Sequence, residues 1–453
     1  MKKRFIKNRR LFFARRIILD YLLIILVASL LLYSTYTTKD GNQISYIDSL
    51  FTSVSALTDT SLKTLEVYNS FNFFGQFIVL VLIQIGGFGI MAVKILILMF
   101  FQKKVSISTR MMVQAEYNLS FKSGIVKRIR TSFIVILIIE VIFTFVFSIH
   151  MMVVYDYSIL DSLWFSTFQS ISSVNNGGFS LTMDSLTSFS TDYLFQIYTM
   201  ILIIIGGIGF PFIYEIVGFF KSRINKTTFR FSLFAKVNIA TYMLLLVFGF
   251  LLIYILEYNK DLIGQLSIEN IFKVLFQVVS SRSGGFYTHQ VSEFNQASIV
   301  VLMILMFIGT SPASCGGGIR TTTFAIIILY LYNFMRSKEN IEVFNRRIAE
   351  IVTIKSFNVF VVSLFMVISA SLIISISDPQ LSYLIILFDT VSAFGTSGLA
   401  LGVLDDLSMV GKITIIVVMI VGHLGITNTL LFFGGRATRN KHVKSVEENL
   451  ILG

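Results

Sequence analysis

Four times along the chain, a long apolar run is followed by a short segment mixing hydroxyl and apolar residues, then a turn of small residues, then a second long apolar run. The first runs, about 17–36, 131–154, 237–256 and 352–376, are long enough to cross roughly 30 Å of hydrocarbon as helices. The short segments, about 47–58, 160–174, 268–281 and 381–394, fall well below that length, so they are expected to enter the membrane and turn back. The second runs, about 71–101, 193–220, 296–334 and 411–433, are predicted to be spanning helices.

The turns themselves repeat. They read SVSALTDTSL (53–62), SISSVNNGGF (170–179), VVSSRSGGF (278–286) and VSAFGTSGL (391–399), which align at Ser61, Gly178, Gly285 and Gly398 with spacings of 117, 107 and 113 residues. A second landmark keeps step with the first: IGGFGI at 85, IGGIGF at 205, IGTSPASCGGGI at 308 and VGHLGI at 421. From one landmark to the other the offsets are 25, 28, 24 and 24 residues. A single such segment could be a polar patch where small residues let helices pack closely. Two landmarks in register four times argue for duplicated units.

Irregular backbone at membrane depth needs protein or a water-filled path to satisfy its polar groups, so four such turns are expected to meet around one axis. A half-helix entering from outside aims its partially negative C-terminal end at the membrane centre, which favours a cation there. Turns rich in Gly, Ser, Thr and Asn can then offer main-chain carbonyls in place of an ion's hydration shell. The predicted fold is all-α and integral to the membrane: one domain, 1–453, of four units (17–101, 131–220, 237–334, 352–433) around a central pore, with a tail at 434–453. Each unit is a transmembrane helix, a re-entrant pore helix, a filter turn and a transmembrane helix.

Composition agrees with a lipid environment: 55% hydrophobic residues, 14% charged and a mean hydropathy of +0.80. The net charge of +12 raises the question of nucleic acid, and its placement answers it. Segments 2–16, 102–130, 221–236, 335–355 and 436–444 hold 29 of the 37 Lys and Arg, while the alternate loops hold almost none. That is the positive-inside pattern, with both termini cytoplasmic, and no nucleic-acid partner is expected. The basic loops suit anionic lipid headgroups or an acidic partner. The run at 17–33 has no small-residue cleavage site and is read as a retained first helix. One cysteine, Cys315, and four scattered histidines exclude a disulfide and a ligand-spaced metal site. An enzyme would want clustered His, Asp or Glu on one loop, which the chain lacks, and a transporter built of inverted repeats would not place all four turns after helices of one direction.

The turns NNGGF, SRSGGF and SAFGTSGL, with SPASCGGGIRTTTF, resemble the signatures of the Trk/Ktr/HKT superfamily of K+ and Na+ transporters, and most closely the membrane subunit of bacterial Ktr systems. The resemblance spans about 17–435 and implies K+ uptake across the cytoplasmic membrane, a homodimer, and a cytoplasmic nucleotide-binding regulatory ring. It implies no cofactor on this chain itself, K+ or Na+ as the ion carried, and nucleotide only on the partner. The corresponding filter residues are Thr58, Asp59, Thr60 and Ser61; Val174, Asn175, Asn176, Gly177 and Gly178; Ser281, Arg282, Ser283, Gly284 and Gly285; and Phe394, Gly395, Thr396, Ser397 and Gly398. The stretch Gly309–Thr323 corresponds to an intramembrane gate loop carrying Ser311, Pro312, Cys315, Gly316, Gly317, Gly318 and Arg320, with His423 facing it. Pro312 and the glycine run cannot continue a helix cheaply.

Two positions depart from the family. Ser61 stands where the first turn normally ends in Gly, and a Ser there goes with Na+ preference in plant relatives. His423 stands where an Arg usually reaches for the loop. Asp59, at a position usually apolar, would concentrate cations at the mouth or be a solvated loop acid. Arg282 is expected to brace the filter by bonding carbonyls from behind. Arg320 is expected at the cytoplasmic cavity, Lys94 snorkels, His150 is structural, and Cys315 fills space in the loop. The tail KSVEENLILG is expected to dock on protein.

Overall fold

A computed structural model of the chain describes residues 2–39, 44–116, 124–258, 267–337, 341–402 and 404–433. The tail 434–453, with its expected docking segment, lies outside them. The first unit comprises α1 (Lys2–Tyr33), α2 (Tyr46–Leu57), the single turn α3 (Val67–Ser70), α4 (Phe73–Phe88) and α5 (Ile90–Phe100), and α6 (Ile107–Glu116) follows in the connecting loop. Next come α7 (Ile125–Tyr155), α8 (Ile159–Val174), α9 (Tyr193–Ile208) and α10 (Phe210–Ile224). The third group is α11 (Leu233–Tyr258), α12 (Ile268–Ser280), α13 (Gln296–Ile308) and α14 (Thr321–Met335), and a two-residue hairpin of β1 (Glu342–Val343) and β2 (Arg346–Arg347) closes it. The last is α15 (Glu350–Ser377), α16 (Tyr383–Gly395), α17 (Met409–Leu424) and α18 (Ile426–Phe433).

Local sequence starts each helix where it does. The short helices α2, α8 and α12 open on Ser45, Ser158 and Ser267, whose hydroxyls accept the N–H of the third helical residue; Ser382 opens α16 without that bond. Asn72, Asp192, Asn295 and Ser408 cap α4, α9, α13 and α17 in the same way. The helices α7, α11 and α15, and α1 from Arg15, are long and apolar enough to cross a membrane, so this is a multi-pass membrane protein.

The second runs are not the continuous helices their apolar length predicts. They break at Gly89, Gly209 and Gly425, where φ is +73°, +93° and +80°, and the chain bends by 98°, 100° and 108°. A left-handed residue ends a right-handed helix, and glycine takes that conformation without a Cβ clash. The third run is interrupted more widely, by the loop 309–320, and Thr321–Thr323 are already helical, so the loop is shorter than the expected Gly309–Thr323.

Packing is cyclic. Each short helix lies against the long helix before it, and each second helix touches the short helix of the next unit: α4 on α8, α9 on α12, α13 on α16, and α17 back on α2. An ion pair from Lys412 to Asp48 at 2.9 Å ties α17 to α2 as well. The second landmark lets the backbones come close within a unit as well. A side chain at Gly86, Gly206 or Gly422 would collide with the carbonyl of Leu57, Val174 or Phe394, at the end of the short helix of the same unit.

Outside the spanning segments, the Glu116 carboxylate accepts the Met91 N–H at 3.2 Å and so holds α6 against the start of α5. Burial pushes its carboxyl up to about 8, against the bonds from Met91 and Ile90. A raised acid favours the fold most when protonated, so its contribution is full below the ordinary value of 4.5 and is lost as pH rises through about 8. The thermal midpoint in detergent should fall over that window, and Glu116→Gln should flatten it. Gly206→Ala should cost about 1–3 kcal/mol through overpacking. At Gly402, with φ of +87° and nothing within 4 Å, Ala should cost only about 1 kcal/mol of left-handed strain. Equal losses at the two sites in thermal unfolding would argue against a close approach.

Candidate functional site

The four turns follow directly from the short helices. Val174 is the last residue of α8, Phe394 and Gly395 end α16, and Thr58 and Ser281 cap α2 and α12. The chain then takes the same path each time. Asp59, Asn176, Ser283 and Thr396 have φ of +48°, +58°, +67° and +47°, and two residues later Ser61, Gly178, Gly285 and Gly398 have +64°, +59°, +73° and +78°. Left-handed non-glycine residues cost on the order of 1–3 kcal/mol each and persist only where their surroundings dictate them.

The ends of the turns meet. A side chain at Gly178 would lie 2.7 Å from Gly285 Cα, one at Gly285 would lie 3.1 Å from Gly178 Cα, and both would run into the side chain of Ser61. One at Gly398 would strike Ser61 as well. The hydroxymethyl group of Ser61 therefore fills the point on which three glycine Cα–H vectors converge, and its Oγ is buried with no hydrogen-bond partner.

Hydrogen bonds hold the turns both within themselves and to one another. Thr58 Oγ1 lies 2.7 Å from Thr60 Oγ1, Ser283 donates to the Gly395 carbonyl at 2.9 Å, and Ser397 donates to the Ser281 carbonyl at 3.2 Å. Gly177 N–H donates to the Ser172 carbonyl at 2.7 Å and Gly284 N–H to the Ser280 carbonyl at 2.6 Å. Asn175 donates to Glu140 Oε1 at 3.1 Å, and Gln84 donates to the same oxygen at 3.0 Å. Neither partner was among the expected site residues. A lone glutamate in the apolar run 131–154 was the available signal, because ionisable groups inside a membrane are rarely idle.

Two expectations about charged residues need correcting. Asp59 is neither at a mouth nor solvated: it is fully buried, and neither carboxyl oxygen has a hydrogen-bond partner. Arg282 is also fully buried, but it donates to the Leu305 carbonyl of α13 at 3.1 Å and faces the Tyr242 ring at 5.3 Å, so it braces the neighbouring helix and not the turn's own carbonyls. Its length carries the guanidinium past its own turn.

The loop 309–320 lies against the same cluster. Cys315 Sγ–H donates to the Val174 carbonyl at 3.8 Å, Gly317 N–H to Thr396 Oγ1 at 2.6 Å, and Gly318 N–H to the Phe394 carbonyl at 3.2 Å. Gly316 leaves no room for a side chain against Ser283. The loop is pinned at its other edge, where Ser311 N–H donates to the Gly207 carbonyl at 3.1 Å and Phe210 N–H to the Ala313 carbonyl at 2.9 Å; the Pro312 carbonyl lies over Gly209. Gly309 and Gly318, with φ of +62° and +79°, pack on each other at the neck. Arg320, half-buried, folds back to donate to the carbonyls of Gly316 and Ser311, and to that of His423 at 3.5 Å. The His423 ring has Nε2 3.2 Å from the Tyr21 hydroxyl on α1. Lys94 is exposed on α5, and His150 pairs with Asp192 at 2.6 Å, far along the chain from these turns.

Residues 17–441 match the TrkH family of cation transport proteins. The chain is 37% identical to the Ktr system potassium uptake protein D of Bacillus subtilis, over 97% of each chain. It is 33% identical to the potassium/sodium uptake protein NtpJ of Enterococcus hirae, over 100% of this chain and 99% of the other. The crystal structure of the potassium transporter TrkH from Vibrio parahaemolyticus superposes with a TM-score of 0.72 at 19% identity, covering 92% of this chain and 83% of that one. The fold is therefore that of a TrkH-type membrane transporter, and the chain belongs to the TrkH family of cation transport proteins.

Proposed function

We propose that this chain takes up K+ across the cytoplasmic membrane, and admits Na+ beside it, through a filter made of the four turns. What carries the reading is the convergence of Ser61, Gly178, Gly285 and Gly398 at one point, each at the carboxyl end of a half-helix. Four partially negative helix ends and their free carbonyls favour a dehydrated cation at that point, and no covalent chemistry is needed. The membrane potential supplies the drive, about 2.3 kcal/mol per charge for each 100 mV. The relatives named for potassium and for potassium/sodium uptake support the choice of ion.

In this reading the units 17–101, 131–220, 237–334 and 352–433 surround one pore, with both termini cytoplasmic. The loop 309–320 is its gate, resting against the underside of the second, third and fourth turns. On the same reading its partners are a second copy of this chain and a cytoplasmic nucleotide-binding ring facing the basic loops; the likeness to proteins named as members of a Ktr system supports a partner subunit.

Ser61 has a φ of +64°, so glycine fits its backbone better than serine does. Ser61→Gly should open the crowded point and raise K+ over Na+ discrimination roughly tenfold, equivalent to about 1.4 kcal/mol. Growth rescue of a K+-uptake-deficient cell and ion flux into liposomes would measure it, and equal ratios in both forms would refute the role of Ser61. Thr396→Val keeps the shape but leaves the Gly317 N–H without its acceptor, which should loosen the loop by about 1–3 kcal/mol. Faster uptake at unchanged ion preference is expected; slower or unaltered uptake would count against a gate.

A further inference from the structure

The first and second turns superpose bond by bond. Asp59 N–H donates to the Ala56 carbonyl at 3.4 Å as Asn176 N–H donates to the Ser173 carbonyl at 3.3 Å. Thr60 N–H reaches the Ser55 carbonyl at 2.9 Å as Gly177 N–H reaches that of Ser172 at 2.7 Å. Gly86 faces the Leu57 carbonyl and the Asp59 side chain just as Gly206 faces the Val174 carbonyl and the Asn176 side chain. In the second turn, the contacts of Asn176 orient its amide so that nitrogen donates to two carbonyls, Ser173 at 3.1 Å and Ile203 at 3.2 Å. That niche is built from acceptors and needs a donor. The residues at the same places around Asp59 are Ala56, three before it, and Ile83, three before Gly86.

A carboxylate has no proton to give such a niche; a carboxylic acid has one. Both oxygens of Asp59 are buried without any donor, and Gly86 packs so closely that a Cβ there would sit 3.0 Å from one of them. We infer that Asp59 is a proton-binding site inside the first turn, its acid hydroxyl taking the place of one N–H of the Asn176 amide and donating to the carbonyl of Ala56 or of Ile83. Loss of the proton sets a buried charge against carbonyl oxygens and forces the turn out of the shape its three counterparts share.

The other titratable groups around it do not supply the missing donor. On α1, Tyr21 turns its hydroxyl to His423 of α17. On the loop, Cys315 donates to Val174, and Arg320 is taken up by the carbonyls of Ser311, Gly316 and His423. Glu140 on α7 is held by Gln84 and Asn175, and Asp48 at the far end of α2 is paired with Lys412. No titratable residue lies on α4.

The inference rests on the turns acting as the filter, and its test separates the two. The full chain in liposomes is assayed for rubidium uptake across about pH 5 to pH 9, beside Asp59→Asn, which copies the second turn and keeps its donor. Wild-type uptake should fall with rising pH along a one-proton curve, approaching tenfold for each pH unit past the midpoint. Asp59→Asn should lose the pH dependence and give one rate throughout. Infrared spectra of the same samples should contain a protonated-carboxyl stretch that the Asn variant lacks. Parallel pH profiles, a flat wild-type profile, or the absence of that band would each overturn the site. If no rubidium moves at any pH, the uptake reading fails, and the infrared difference still decides the proton.

Discussion

Everything around the four turns follows from the need to satisfy carbonyl oxygens at the ends of half-helices buried in a membrane protein. A helix leaves its last carbonyls unbonded, and in hydrocarbon each orphan costs several kcal/mol. Here the ends are met in three ways. Backbone and hydroxyl donors of the same and neighbouring turns take some, as Ser397 does for Ser281 and Ser283 for Gly395. The loop 309–320 takes others, through Cys315 on Val174 and Gly318 on Phe394. In the proposed function the remaining oxygens are those a cation would meet, and the helix dipoles make the same place favourable for positive charge.

That constraint also sets the packing. To bring four half-helix ends together, the helices outside them must approach to backbone contact, which is why glycines stand at 86, 206 and 422 against Leu57, Val174 and Phe394. At the corresponding place in the third unit the helix stops, and Gly309 packs on the loop's own Gly317 and Gly318. The gate candidate is thus the one second helix that leaves its place against a turn and is replaced there by a chain of small residues.

Much of this is legible in the sequence, and the limits have physical reasons. The turns show because their composition, SRSGGF or NNGGF inside apolar sequence, has no cheap explanation in a lipid-facing helix. The loop shows because Pro312 and Gly316–Gly318 cannot be helical at tolerable cost. The three sharp bends do not show: Gly86 and Gly89 sit in the same motif, yet one serves close packing in an intact helix and the other takes φ of +73° and ends it. Nothing local tells those roles apart, because the first is decided by a neighbour in space and the second by where the following helix must go. Asp59 fails for a related reason. An acid in a polar turn reads as exposed, and its burial depends on which helices close over it. For Arg282 a bonded carbonyl was legible, but which helix supplies it depends on the packing.

The first turn is the one that differs from its three counterparts, and it differs twice. Ser61 puts a side chain where the others present only hydrogen, and Asp59 puts an acid where the others carry neutral groups. The two are connected through the backbone, since Thr60 lies between them and both are left-handed residues of one four-residue bend. Any change that moves Asp59 out of its niche must move Ser61 at the point of convergence, because so short a segment, fixed at Thr58 by the end of α2, cannot absorb the displacement elsewhere. Proton occupancy and ion preference are then two readouts of one strained turn, and a four-part site becomes adjustable by altering a single part.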